Sequence, residues 1–464
     1  MLTYSFENRG SDSLYEYLYK QIKNDILSYH LSPDEKLPSK RALAKHLNVS
    51  TITIENAYQQ LMAEGYIYSR PKSGFYVSHV STSKATGLNQ LQWKEPFHKE
   101  SDSYYADFVN NSTSTESFPF STWTKLMRET MSDEADALMV RSPSIGVFKL
   151  RQAIAAYLFQ FRGMAVEPDQ IVVGAGTEYL YGLIIQLLGR DHIYAVEDPG
   201  YQKITKIYQA NDVSSIPVPL DENGIDVDYL NKTKADILHI SPSHHFPTGI
   251  VTPISRRYEL LSWASKAPGR YIIEDDYDSE FRLLGKPIPS LQSIDVLEKV
   301  IYINTFSKSL TSTIRISYMV LPRTLMERYK RELNFYACTV SNFEQYTLAR
   351  FIEQGHFEKH INRMRNYYRT QRDTIIASIR QHPYYNRISI KEENAGLHFL
   401  LEVDTELTDQ QLVEHAASNG IHVSCLSEYY YSRQKSIPHT LILNYSGIET
   451  EKIPRAIELL FSSF

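Results

Sequence analysis

The chain has 464 residues, too many for one ordinary hydrophobic core, so two or three domains are expected. Hydrophobic residues make up 42% and the formal charge is −5; this fits a globular chain with no global attraction to nucleic acid, so any DNA contact must come from a local basic patch. Cys338 and Cys425 match no metal spacing and form no disulfide framework. No apolar run is long enough to span a bilayer, and residues 1–6 lack the regions of a signal peptide. A cytoplasmic location without membrane contact is therefore expected.

Residues 13–29 have helical periodicity, with Leu14, Tyr17, Leu18, Ile22 and Ile26 on one face. After a turn at Ser32-Pro33-Asp34, Ser39 is the expected N-cap of a second helix with Ala42, Leu43 and Leu47 inward. Asn48-Val49-Ser50 makes a tight turn into a helix over 51–63, with Ile54, Ala57, Tyr58 and Leu61 inward and Gly65 at its end. Short strands over 66–68 and 74–77 flank Arg70-Pro71-Lys72-Ser73. Residues 79–103 are rich in Ser, Thr, Lys and Gln, lack a sustained apolar period and read as a linker, with Trp93 and Phe97 available to dock it.

From 104 onward strands and helices alternate. Helices are expected over 150–161 and 178–188. Strands are expected over 170–173, 193–196, 237–240, 270–274, 300–303 and 317–321. This is an α/β pattern with a largely parallel sheet. A long helical stretch is expected from 344 to 381, then a strand-and-helix end domain over 388–464. The large part runs to about 340 and the small C-terminal part covers about 380–464.

The segments at the strand ends carry chemistry. Gly174-x-Gly176-Thr177 stands at a strand-to-helix turn, where backbone N–H groups and the helix dipole attract phosphate. Taken alone, such a turn is more often structural. Tyr201 follows a strand, where it could stack on a flat ring or simply pack. His244-His245 has no carboxylate or cysteine completing a ligand set, so no metal is expected. Glu274-Asp275-Asp276-Tyr277 ends another strand; the plain alternatives are a calcium site or a solvated turn. Thr305-x-Ser307-Lys308 and Arg315 follow it. This order puts a Schiff-base lysine, Lys308, and a carboxylate for a protonated ring nitrogen, Asp275, against pyridoxal 5'-phosphate (PLP).

Helix, turn, helix and β-wing over about residues 12–78, with the string Leu37-Pro38-Ser39-x-Arg41-x-Leu43-Ala44, resemble the winged helix of GntR regulators. The resemblance implies a DNA-binding domain over 1–78. Ser50, Thr51 and Thr53 would approach bases or phosphates in the major groove; Lys40, Arg41, Arg70 and Lys72 would contact phosphates or the minor groove. Where the family often has Arg, this chain has Thr51. The bland reading is a small helical interaction domain with a solvated basic face.

Residues 104–464 resemble a fold-type I PLP-dependent aminotransferase, and the whole chain is similar to MocR-type regulators, which join such a domain to a winged helix. The resemblance implies PLP linked to Lys308, Asp275 on the ring nitrogen, Tyr277 on the ring hydroxyl and Tyr201 stacked on the ring. It places Gly176, Thr177, Thr305, Ser307 and Arg315 around the phosphate. It also implies a head-to-tail, domain-swapped homodimer on double-stranded operator DNA, with Arg141 where aminotransferases have a tyrosine that reaches the neighbouring subunit's phosphate. Ile442 stands where aminotransferases carry the arginine that clamps the substrate carboxylate, with Arg433 nearby. Three readings stay open: a regulator sensing PLP and controlling vitamin B6 synthesis, a regulator sensing an amino compound through an external aldimine with PLP, and an active aminotransferase.

Overall fold

The computed structural model describes residues 2–6, 9–10, 12–80, 104–110, 117–283, 288–394, 396–432, 436–462 and 464. The chain forms two compact units, Met1–Ser101 and Asp102–Phe464. The expected linker lies, after Val80, outside the described residues, as do Trp93, Phe97 and Arg433.

The first unit contains α1 (Leu14–Leu27), α2 (Lys40–Leu47), α3 (Thr51–Ala63), β1 (Ile67–Arg70) and β2 (Gly74–Val77). Ser13 and Glu16 form a capping box at the start of α1. Ser39 accepts the Ala42 amide at 3.2 Å, and left-handed Asn48 closes α2. Ser50 accepts the Thr53 amide at 3.1 Å and caps α3. Leu18, Ile22, Leu43, Ile54, Tyr58 and Leu61 are buried together in one core. The hairpin pairs Arg70 with Gly74. The first wing strand therefore runs two residues further than the apolar run alone indicates, and Arg70 lies in it.

The second unit is built on an eight-stranded sheet of β4 (Ile171–Gly174), β5 (Tyr194–Asp198), β6 (Ser215–Asp221), β7 (Gly224–Ile225), β8 (Ile237–Ile240), β9 (Tyr271–Asp275), β10 (Val300–Thr305) and β11 (Ser317–Val320); β3 (Ala106–Asp107) lies outside it. The order is β4-β11-β10-β9-β8-β5-β6-β7. The five strands from β10 through β6 run parallel; β11 and β7 are antiparallel to their neighbours. Every residue of β4, β8, β10 and β11 is buried, as strands covered on both faces require. The C-terminal ends of β9, β10 and β5 and the turn after β4 carry Asp275, Lys308, Tyr201 and Gly176, so the expected site residues gather at one edge of the sheet.

β6 is missing from the pattern-based expectation because Pro217 and Pro219 interrupt it. The expected helix over 344–381 is two helices, Asn342–Glu353 and His356–Gln381, separated at Gly355, whose φ of 72° breaks the helix. The C-terminal part holds β12 (Ile388–Lys391), β13 (His398–Val403), β14 (Ile421–His422), β15 (Ser424–Cys425) and β16 (Thr440–Asn444). Its sheet has the order β12-β13-β16-β15, while β14 pairs with β3. No helix among the described residues is long and apolar enough to cross a membrane.

Candidate functional site

Lys308 lies in the short helix Phe306–Ser309 directly after β10. Burial pushes its ammonium down to about 8, against the opposing pull of Asp278. A neutral fraction of about a tenth at pH 7, far above that of an ordinary lysine, suits it to act as an amine nucleophile.

Asp275 ends β9, paired with Ile303 of β10. Alternation along the strand sends the three carboxylates to different partners. Glu274 accepts the Leu291 and Gln292 amides at 2.8 and 2.9 Å. Asp276 takes Arg162 and Tyr302, both at 2.6 Å. Asp275 Oδ2 accepts the Tyr181 hydroxyl, with His239 Nε2 at 3.8 Å. Asp275 Oδ1 and His239 Nε2 are buried without hydrogen-bond partners. The acidic cluster is thus buried rather than a solvated turn: Glu274 is satisfied by two amides, Asp276 is paired with Arg162 through Oδ2, and Asp275 and Asp276 each keep one oxygen without a hydrogen-bond partner.

Tyr277 reaches His244 at 3.3 Å, and His244 in turn contacts Asp278 at 2.8 Å. Burial, then Asp278, pushes the Tyr277 phenol well up, so it is a neutral donor. His245 turns away to Thr248 at 2.7 Å and Glu197 at 3.4 Å. Burial holds His245 down at about 3 and pushes Glu197 up to about 8. Among the described residues no group of three or more His, Cys, Asp or Glu could hold a metal ion.

The turn after β4 brings Gly176 (φ 94°) to the start of the helix Thr177–Leu188. Arg315 lies across this turn: a Cβ on Gly176 would sit 2.3 Å from its guanidinium. Arg315 itself is left-handed, with φ 51°. Its Nη2 donates to Glu178 at 2.8 Å, and Glu178 also holds Lys203. These cations keep the Glu178 carboxyl below its ordinary range, Lys203 foremost. The Ser307 hydroxyl is buried and unpartnered, whereas Thr305 Oγ1 accepts the Ser317 hydroxyl at 2.7 Å and the Ser307 amide at 3.1 Å. Ser307 is therefore the freer hydroxyl of the two, and Thr305 shapes the turn. Arg141 is exposed.

Tyr201 is 47% exposed, its ring edge-on to Phe246 at 5.8 Å. Its turn is tied to the C-terminal part: the Gly200 amide donates to the Tyr429 carbonyl at 3.1 Å and the Tyr431 amide to Asp198 at 2.8 Å. Ile442, paired with Leu400 and Ser424, is buried in an apolar cluster with Leu400 and Leu426, against which Phe246, Tyr429 and Tyr430 pack.

In the first unit Arg41, Thr51 and Lys72 are exposed. Lys40 is tied to Glu55 at 2.5 Å. Ser50 and Thr53 hydrogen-bond each other at 2.8 Å in the cap of α3, so their hydroxyls serve the helix first. Arg70 lies over Tyr76, 4.6 Å from the ring centre, and bonds the Tyr68 hydroxyl at 2.8 Å. The sequence did not single out Tyr181, His239 or Glu178. On helix and strand faces, tyrosine and histidine read as core, and a first-turn glutamate reads as a helix-dipole partner.

Residues 14–77 match the family described as bacterial regulatory proteins, gntR family. The chain is 36% identical over 458 residues to YdeL of Bacillus subtilis, named an uncharacterized HTH-type transcriptional regulator, covering 98% of each chain. It is 31% identical to PdxR of Corynebacterium glutamicum, named an HTH-type pyridoxine biosynthesis transcriptional regulator, covering 89% of this chain and 88% of that one. The kynurenine aminotransferase of Pyrococcus horikoshii superposes with a TM-score of 0.68 at 22% identity, covering 78% of this chain and 91% of that one. That likeness shows the aminotransferase fold of the second unit. The chain thus belongs to the MocR-type group of GntR transcriptional regulators, in which a winged-helix DNA-binding domain is joined to an aminotransferase-like domain.

Proposed function

We propose that the second unit binds PLP and that the protein regulates transcription in response to it, controlling vitamin B6 synthesis. The observation that carries this reading is the free, buried Oδ1 of Asp275. An unpaired carboxylate oxygen in the interior is costly, and a protonated pyridine nitrogen satisfies it. The other donors fit the same molecule. Lys308 is a partly neutral amine for the aldehyde, Tyr277 a neutral phenol for the ring hydroxyl, and Tyr201 an accessible ring for stacking. Ser307, Arg315 and the N-terminus of the helix Thr177–Leu188 fit the phosphate, with Gly176, Thr177 and Thr305 shaping that cradle. PLP supplies an aldehyde that condenses with a primary amine and releases water; the chain supplies charge, orientation and the lysine.

Regulation, rather than turnover, is favoured by Ile442 itself, an apolar side chain packed among Leu400 and Leu426 where aminotransferases carry a clamp arginine. The name of the 31%-identical relative points to pyridoxine biosynthesis as the controlled process. In this reading the protein is a head-to-tail homodimer on double-stranded operator DNA, and Arg141 adds a cation to the phosphate of the neighbouring subunit's site. Winged helices carried by two subunits read paired half-sites, so ligand-induced changes in their spacing alter affinity. The test is a titration of PLP-free protein on its operator with PLP, then with amines at saturating PLP. A shift in affinity or footprint by PLP alone is expected. A response that requires one particular amine replaces this reading with an amino-compound sensor.

A further inference from the structure

Glu178 divides its carboxylate between two cations, Arg315 at 2.8 Å and Lys203. The three groups come from three segments. Glu178 is in the first turn of the helix Thr177–Leu188, Arg315 precedes β11, and Lys203 stands in the first turn of the helix Gln202–Ala210, two residues after Tyr201. They meet where the phosphate cradle is expected, and the side chains are 39%, 47% and 49% exposed respectively. Ion pairs this exposed are weak and exchangeable.

Glu178 is not the only group that Arg315 packs against. Its guanidinium lies against Gly176 so closely that a Cβ there would clash, and its own left-handed backbone fixes its approach. What Glu178 contributes is negative charge on a guanidinium that the phosphate needs. A phosphate and a carboxylate at the same helix N-terminus repel each other and share one strong donor fork.

Building on the PLP reading, we propose that Glu178 is a specificity-determining residue that competes with the phosphate for Arg315. It weakens binding of the phosphorylated ring, makes occupancy reversible, and on displacement releases Lys203 beside the turn that carries Tyr201. A tightly held cofactor suits an enzyme; a ligand that must report its own concentration has to exchange. Lys203 links the phosphate end of the site to the Tyr201 turn, which is hydrogen-bonded to the Tyr429–Tyr431 segment. Phosphate arrival is thereby passed to the C-terminal part.

The experiment titrates full-length, PLP-free wild type and Glu178→Gln with PLP and with pyridoxal, which has the aldehyde and ring but no phosphate. Binding is followed by absorbance, and borohydride trapping at Lys308 identifies the site. The variant should bind PLP about 3–10-fold more tightly at low salt, with the gain shrinking as salt rises, and pyridoxal within about twofold of wild type. Unchanged or weaker PLP binding by Glu178→Gln, in protein that melts like wild type, overturns the proposal, because the carboxylate then positions Arg315. An equal gain for both ligands overturns it too, because the effect does not pass through the phosphate. Wild type that is labelled at Lys308 by neither ligand rejects the PLP reading itself, an outcome distinct from the other two.

Discussion

Tyr181 donates its hydroxyl to Oδ2 of Asp275, and His239 stands 3.8 Å from the same oxygen. The strand-end aspartate is thus met by the helix Thr177–Leu188 and by β8, while its other oxygen has no hydrogen-bond partner. Removing the phenol takes away the hydrogen-bond donor to Asp275 Oδ2. Tyr181→Phe is expected to weaken PLP about tenfold, in line with the loss of one hydrogen bond to a charged group. Fluorescence titration checks this. Affinity equal to wild type means that Asp275 draws its charge stabilisation elsewhere.

Lys308 gives a pH signature. With its amine pushed down to about 8, the neutral fraction rises through neutral pH, reaches half near pH 8 and saturates about a unit higher. The rate of covalent capture of PLP should climb roughly tenfold from pH 6 to pH 7 and level off above about pH 8, whereas an unperturbed lysine keeps climbing toward pH 10. Stopped-flow absorbance measures it. Lys308→Ala should abolish the borohydride-stable product; label on another lysine would show the assignment to be wrong.

On the DNA side, the exposed charges of Arg41 and Lys72 differ from that of Lys40, which Glu55 already holds. Arg41→Ala and Lys72→Ala should each weaken binding on all sequences and lower the salt slope by about one, if each meets one phosphate. Lys40→Ala should cost less, because its charge is partly neutralised. Anisotropy titrations over a salt series separate the three. Residues 104–464 alone should not bind the operator; tight binding by that fragment would move the DNA site out of the winged helix.

Much of this architecture was legible because local signals agreed with the fold. The bounds of α3 and of β8 follow from a turn and an apolar period in one case and a β-branched run in the other. Lys308 and Asp275 stood out in the sequence because strand ends concentrate chemistry, and Asp275 ends β9 while Lys308 follows β10. What stayed hidden depends on through-space meetings. β6 carries two prolines yet pairs with every residue of β5. The Glu178 bridge joins residues 178, 203 and 315, and no local period marks such a contact. Gly355 sits inside a continuous helical pattern and breaks it by backbone geometry alone.

Ile442 offers a test between regulator and enzyme. It lies opposite Leu400 and Ser424 in the C-terminal sheet, buried with Leu400 and Leu426 under Phe246, Tyr429 and Tyr430. A substrate carboxylate brought there meets these apolar side chains, and desolvation costs several kcal/mol where no cation meets it. Alanine or glutamate added to PLP-loaded protein should therefore change its spectrum little and yield no keto acid over many turnover times. Ile442→Arg should not simply restore a clamp. It buries a guanidinium in an apolar cluster, and about 3–5 kcal/mol of stability should be lost, seen as a lower denaturation midpoint with an unchanged slope. A variant that stays as stable as wild type and gains amino-acid binding would mean that an anion partner already stands beside Ile442. Keto acid released steadily by the wild type would return the chain to the enzymes.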